Sequence, residues 1–442
     1  MIRTLLTATL AFTLPAVAAA APVLLISIDG LRPGDVLEAE SRGLKIPALR
    51  EFVTKGSTAT GALGVLPTVT YPSHTTLLTG VSPAKHDVVS NTTFDPLQIN
   101  QGGWYWYASD IKVPTLWDAA ARKGISVANI HWPVSVGAAS IRWNLPQLWR
   151  TGHPDDEKLV AALSTPGLLG PLQAKLGAYA PGIDESIEGD ETRGKFAVQI
   201  IADKKPGFAT VYLTALDHTQ HLTGPGSVES HAVLERIDAI VAKLVAAEKR
   251  AHPGAVIAIV SDHGFDVTST EINLFRPFID AGLIVLDGEG KIKSWDATPW
   301  ISGGSIAVML ARPSDAALKA KVAALLASLK ANPEAMIADV IEAPAIAAAG
   351  ANPQASFYLN LAPGALSGGF KGKDAPLSSP AKYKGMHGYF PAARSMRSTF
   401  MIMGPGIAAN HSYGEIDLRA IAPTVARLLG VALPDAEVAA LK

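Results

Sequence analysis

The 442-residue chain contains no cysteine. Disulfides, thiolate metal sites and cysteine nucleophiles are therefore excluded, and any bound metal must be held by histidines and carboxylates. Charge is also sparse: 17% of residues are Asp, Glu, Lys or Arg, the formal net charge is -1, and no dense Lys/Arg run occurs. A nucleic-acid polymer or an anionic membrane surface thus has no electrostatic footprint to bind. Beyond the N-terminal stretch no segment offers the roughly eighteen uninterrupted apolar residues that a membrane span needs, so no span is expected in the mature chain. What is abundant is apolar surface, 48% of residues, together with 39 glycines and 31 prolines, a composition that buries a large core and fixes many turns.

Residues 1–21 carry one early charge at Arg3, an apolar stretch from Leu5 to Leu14, a break at Pro15 and small residues Ala18 to Ala21. The pattern predicts a secretory signal peptide and a periplasmic or secreted protein. Three short, apolar, β-branched runs then read as buried strands: Val23 to Ile28, Phe208 to Leu216 and Ala255 to Ser261. Each is followed by an aspartate: Asp29, Asp217 and Asp262. Helical patterns such as Pro114 to Lys123 and Glu229 to Arg250 separate them. The alternation predicts an α/β fold with a large, mostly parallel central sheet and helices on both faces. Because such sheets bind ligands beyond the carboxyl ends of their strands, three aspartates distant in sequence can converge on one site. Further strands are expected at Thr58 to Leu66, Ser126 to Ile130, Ile306 to Leu310 and Thr399 to Met403, and helices at Asp315 to Lys330 and Asp417 to Leu429. A Gly/Pro/Ala-rich stretch at 265–383 is expected to form a cap subdomain within a single catalytic domain spanning 22–442.

The segment LPTVTYPSHTTLLTG, Leu66 to Gly80, crowds hydroxyls at the expected start of a helix, where free N–H groups and the helix dipole suit a phosphoryl group. An ordinary capped loop fits the same residues, and both Thr68 and Thr70 stand as possible nucleophiles. Asp217 and His221 are spaced to share one face of a helical turn. Asp262-His263-Gly264 follows a strand, and His387 lies in the turn KGMHGYF.

In their order, these elements resemble the nucleotide pyrophosphatase/phosphodiesterase branch of the alkaline phosphatase superfamily. That branch carries an Asp, a Thr-aromatic-Pro-Asn-His element, Asp-x3-His, Asp-His-Gly and a late Gly-x-His-Gly. The resemblance implies two divalent ions, zinc in the family, one held by Asp29, Thr70, Asp262 and His263 and the other by Asp217, His221 and His387. It selects Thr70 as the nucleophile of a covalent phospho-threonine mechanism, with Asn91 and the Tyr71 backbone N–H donating to phosphoryl oxygens. The Tyr71 ring is matched to a substrate-pocket aromatic that Trp104, Tyr105, Trp106 and Tyr107 could extend; core packing is the alternative for all five. Two departures concern substrate rather than metal: Ser73 replaces the usual Asn, and Thr214-Ala215-Leu216 replaces an acidic segment before Asp217. The expected activity is hydrolysis of phosphodiester or pyrophosphate bonds in small, nucleotide-like substrates. A phosphomonoesterase on the same site is the alternative, with Arg142 and Lys112 as candidate cations for the extra charge, and a periplasmic metal- or ligand-binding protein is the non-enzymatic one.

Overall fold

The computed structural model describes residues 20–100, 103–150 and 152–442. The expected signal peptide lies almost wholly outside these residues. The central sheet has eight strands: β1 (Val23–Ile28), β2 (Ser57–Thr58), β3 (Val127–Ile130), β4 (Trp143–Leu145), β5 (Phe208–Leu213), β6 (Val256–Val260), β7 (Phe400–Met403) and β8 (His411–Ser412). They are ordered β8-β2-β7-β6-β1-β5-β3-β4. Pairing is parallel except where β7 meets β6 and β2. The mostly parallel sheet anticipated from the sequence is therefore present.

Alternation along β1 shows how the layers form. Leu24, Ile26 and Ile28 join one apolar cluster, whereas Val23 and Leu25 join another on the opposite face. In chain order, the helices around the sheet are α1 (Pro47–Lys55), α2 (Thr70–Thr79), α3 (Leu116–Arg122), α4 (Ile187–Lys204), α5 (Ala215–Thr223), α6 (Val228–Ala251) and α7 (Ile421–Leu429). Phe52 of α1, Phe196 of α4 and Leu244 of α6 pack in the first cluster. Leu77 of α2, Trp117 of α3 and Val425 of α7 pack in the second. Helix starts follow the expected capping chemistry: Thr115 and Asp118 form a reciprocal capping box at α3, and Ser186 and Ser227 accept from the first-turn N–H groups of α4 and α6.

Two strand expectations change. The run Phe208 to Leu216 ends at Leu213, and α5 begins at Ala215, so Asp217 sits in a first helical turn rather than at the strand end. The run Thr58 to Leu66 divides: β2 stays in the main sheet, while Gly61–Leu63 pairs with Glu415–Asp417. Ser57–Thr58 pairs with Met401–Ile402 of β7 and the Ala59 N–H still donates to the Phe400 carbonyl at 2.9 Å, after which the chain leaves the main sheet.

Between β6 and β7 the chain builds sheets of its own. Ala297–Ser302, Ser305–Leu310, Phe357–Leu361 and Ile337–Glu342 form a four-stranded antiparallel sheet. The helix Ala316–Ala331 packs on it through Leu318, Val322 and Leu326, in a core distinct from the two clusters of the main sheet. Among the described residues no helix is long and apolar enough to cross a membrane.

Candidate active site

Carboxylates from three neighbouring strands meet at the carboxyl edge of the sheet. Asp29 follows β1, Asp217 lies on α5 just beyond β5, and Asp262 follows β6 by two residues. All three are buried, as are His263 and His387. Asp29, Asp262 and His263 offer ligand atoms within 4.8 Å of one another, and so do Asp217, His263 and His387. His221 joins through its Nε2, 3.3 Å from Asp217 Oδ2, and His387 Nε2 is 3.7 Å from Asp217 Oδ1. The rings of His263 and His387 stack with centroids 3.6 Å apart, so His263 stands at the junction of the two groups.

The orientation of the imidazoles has a clear cause. Nδ1 of His221, His263 and His387 lies 2.9, 3.1 and 3.1 Å from the carbonyl oxygens of Gly385, Gly264 and Thr68. A carbonyl can only accept, so each Nδ1 donates there and each Nε2 is turned toward the carboxylate cluster, where its unprotonated form can serve as a metal ligand. Glycines make the close approaches possible. A Cβ on Gly264 would lie 2.0 Å from the Ser395 carbonyl oxygen, and one on Gly388, at φ +89°, 2.0 Å from that of Ser302.

This donor set fits metal ions. Asp29 Oδ1, Asp217 Oδ1 and Asp262 Oδ2 are buried without a hydrogen-bond partner, an arrangement that costs several kcal/mol per charge unless a cation compensates it. Burial, followed by the nearby Asp217 and Asp262 carboxylates, pushes the Asp29 carboxyl well above the usual carboxylate range. Burial and then His263 keep His387 neutral far below the ordinary histidine range, the state a ligand needs.

Thr70 opens α2, with its Oγ1 3.5 Å from His263 Nε2. Behind it, His74 bridges Thr70 O at 2.8 Å and Ser27 Oγ at 2.9 Å, which ties the start of the helix to β1. Thr68, the other hydroxyl considered, donates instead to the Tyr389 carbonyl at 2.7 Å. Asn91 Oδ1 accepts the Tyr71 N–H at 2.9 Å. The backbone N–H and the amide expected to donate to phosphoryl oxygens are thus bonded to each other, and Asn91 is part of the cavity lining.

The cavity in front of Thr70 has a volume of about 500 Å³ and includes Asn91, Asp217, His221 and His387 in its lining. The Tyr71 ring does not line it: it is fully buried beneath Trp104, with ring centroids 5.1 Å apart. The aromatic rings that line the cavity on this side are Trp104 and Trp149, which stack 3.9 Å apart. Tyr105, Trp106 and Tyr107 are likewise not in the wall. Neither candidate cation reaches the cavity: Arg142 lies over the Trp143 ring at 4.9 Å, and Lys112 Nζ donates to the Ser109 carbonyl. Sequence reasoning missed Phe94, Trp149, Glu185, His218 and Trp300, all of which line the cavity. Phe94, Trp149 and Glu185 lie on loops and Trp300 on a strand of the inserted sheet, none with a local pattern that marks it; only the position of His218 beside Asp217 was a signal.

The fold is alkaline phosphatase-like, an α/β fold around a mostly parallel central sheet. Human ectonucleotide pyrophosphatase/phosphodiesterase 5 superposes with a TM-score of 0.64 at 20% identity, covering 93% of this chain and 95% of that one. The murine protein, in an inactive Thr-to-Ala form in complex with AMP, superposes equally well, covering 93% of this chain and 96% of that one. The chain belongs to the type I phosphodiesterase/nucleotide pyrophosphatase family, whose model matches residues 23–389. Relatives include human ectonucleotide pyrophosphatase/phosphodiesterase family member 1, 24% identical over 257 residues, 55% of this chain and 24% of that protein. Human bis(5'-adenosyl)-triphosphatase ENPP4 is 25% identical over 258 residues, 57% of this chain and 49% of that protein. The chain thus matches between about a quarter and a half of the length of these curated relatives.

Proposed function

We propose that the protein hydrolyses phosphodiester or pyrophosphate bonds of small substrates in two displacements, with Thr70 as the nucleophile. The observation that carries this reading is the juxtaposition of a helix-terminal hydroxyl with three buried carboxylates whose inner oxygens lack partners. Two divalent ions, zinc by the mixed imidazole and carboxylate set, would be held by Asp29, Thr70, Asp262 and His263 and by Asp217, His221 and His387. When bound they would supply Lewis acidity that lowers the hydroxyl pKa and offsets charge on the phosphoryl oxygens.

In the first displacement Thr70 Oγ1 attacks phosphorus in line with the departing ester oxygen, and a phospho-threonine ester forms. Asn91 Nδ2, its amide fixed by the Tyr71 N–H, donates to a nonbridging oxygen. Water then attacks the same phosphorus, the Thr70 oxygen leaves, and the hydroxyl is regenerated. The segment 265–383 acts as a cap that supplies Phe275, Trp300 and Ser302 to one wall. The AMP complex of the murine relative and the names of the other relatives support nucleotide-like substrates. The apolar N-terminal segment supports a periplasmic or secreted location.

Among the described residues no lysine or arginine lines the cavity, which favours a diester monoanion over a monoester dianion. The test is a paired assay with zinc against p-nitrophenyl phosphate and bis-p-nitrophenyl phosphate. Diester preference abolished by EDTA is expected. Monoester preference moves the assignment to a phosphatase, and turnover of neither returns it to a binding protein.

A further inference from the structure

The helix that carries Asp217 and His221 has no cap of its own. α5 opens at Ala215, and Thr214 at its N-cap makes no capping bond with its side chain. The first N–H groups of a helix have no carbonyl a turn earlier to receive them, and here both residues are buried. Asp190 of α4 receives them instead: its Oδ1 accepts the Thr214 N–H at 3.1 Å and its Oδ2 the Ala215 N–H at 2.9 Å. A carboxylate on a different helix thus supplies the cap, and its charge faces the positive end of the α5 dipole. Asp217 lies in that first turn and His221 one turn beyond on the same face, so whatever fixes the first turn fixes both ligands. At the far end Gln220 Nε2 donates to the Gly30 carbonyl at 2.9 Å, which ties the helix to the end of β1 without holding its start.

Asp190 is fully buried, where an uncompensated carboxylate is costly. Arg193, one turn along α4 and equally buried, compensates it: Nη1 donates to Asp190 Oδ1 at 2.8 Å and to Thr214 Oγ1 at 3.2 Å. The other arm, Nη2, donates to the Asp184 carbonyl at 2.8 Å and to that of Ile183. Burial pushes the Asp190 carboxyl up, and the guanidinium and then the two N–H groups oppose that push. The other titratable groups beside the guanidinium, His131 and Tyr179, are each kept neutral by burial, so Asp190 is its counter-ion. The segment that Arg193 grips leads directly into Glu185, whose Oε2 lies 3.4 Å from Nδ1 of His218 on α5.

We propose that Asp190 and Arg193 are positioning residues for the metal ligands of α5. Asp190 caps the helix from outside and sets the height and rotation at which Asp217 and His221 enter the site, and Arg193 fixes that carboxylate against the 183–184 segment; this rests on the two-ion reading above. Among the described residues no hydrogen bond or ion pair joins the two to Asp29, Asp262 or His263, so they act on one ligand group and not on the other.

The experiment measures two zinc dissociation constants of the purified protein by chelator competition, with His221→Gln showing which constant belongs to the Asp217, His221 and His387 group. Asp190→Asn keeps one acceptor and turns an amide N–H against a backbone N–H of α5. Breaking a buried ion pair costs far more stability than replacing it whole, so the second variant, Asp190→Leu/Arg193→Met, removes both charges together and keeps the fold where a single change loses it. In both variants the constant assigned by His221→Gln is expected to rise by about 10- to 100-fold, the range for groups that orient metal ligands, while the other stays within about threefold. A pair that served only the fold would leave both constants at their wild-type values in the folded double variant, and that result overturns the proposal. An equal rise in both constants overturns it too, and in either case the two-ion reading stands. Wild-type protein that binds no zinc removes the two-ion reading, and the proposal falls with it.

Discussion

Tyr212→Phe is the perturbation whose size follows most directly from the structure. Tyr212 lies on β5 opposite Ser27 of β1, and its hydroxyl donates to Asp29 Oδ2. The other oxygen, Asp29 Oδ1, lies 3.4 Å from His263 Nε2 and has no hydrogen-bond partner. Phenylalanine keeps the ring and its edge contact with His74, at 4.5 Å between centroids, so only the hydroxyl is lost. A hydrogen bond to a charged acceptor contributes about 1.5–3 kcal/mol. Loss of a partner that orients a metal ligand costs about 10- to 100-fold in metal affinity, or roughly 1.4–2.8 kcal/mol, so the two routes agree. The zinc dissociation constant, measured by chelator competition, should rise by that factor. kcat at saturating zinc should recover most of its wild-type value, because the nucleophile is untouched. Zinc affinity within twofold of wild type would refute the inference that Tyr212 holds Asp29 in place for a metal.

Other expectations follow from the same geometry. Asn91→Ala removes the donor proposed for a nonbridging oxygen and should lower kcat by about 10²–10³ in steady-state assays, with a smaller change in KM; a loss below threefold contradicts that role. Removing metal with EDTA should abolish activity and lower the melting temperature, because three buried carboxylates lose their compensation, and added zinc should restore both; an unchanged melting temperature contradicts the metal fit. Burial depresses the pKa of His86 to about 3, from 6.5. The folded state therefore resists protonation, and stability is full above pH 6.5 and is lost as pH falls from there toward 3. Denaturant titrations should show His86→Gln losing less stability than wild type over this window, by about 1.4 kcal/mol per pH unit; parallel curves contradict the assignment.

The sheet was legible because its buried strands are short β-branched runs, and Val23–Ile28 was located to the residue. The helices Val228–Ala251 and Ala316–Ala331 also fell within a residue or so of expectation, since their periodicity and their Ser227 and Asp315 caps are local signals. Convergence of Asp29, Asp217 and Asp262 was legible as well, because parallel strands force their carboxyl ends to one edge. What failed depended on contacts remote in sequence. Nothing local distinguishes Tyr71 buried under Trp104 from Tyr71 facing a ligand, because the residues packed around it, Val88, Trp104 and Val134, come from other segments of the chain. Glu185 and Trp300 reach the cavity from a loop before α4 and from the inserted sheet, and neither position carries a periodic signal. The division of Thr58 to Leu66 was hidden for the same reason, since the partner of its second half is Glu415–Asp417.

The central claim is that the Thr70 oxygen forms a bond to phosphorus. Acid quenching of the zinc-loaded enzyme during turnover of a p-nitrophenyl phosphodiester, followed by peptide mass analysis, tests it directly. The account predicts a phosphoester adduct on the peptide carrying Thr70, and neither adduct nor turnover in Thr70→Ala. An adduct on another residue, or undiminished turnover by Thr70→Ala, would contradict it.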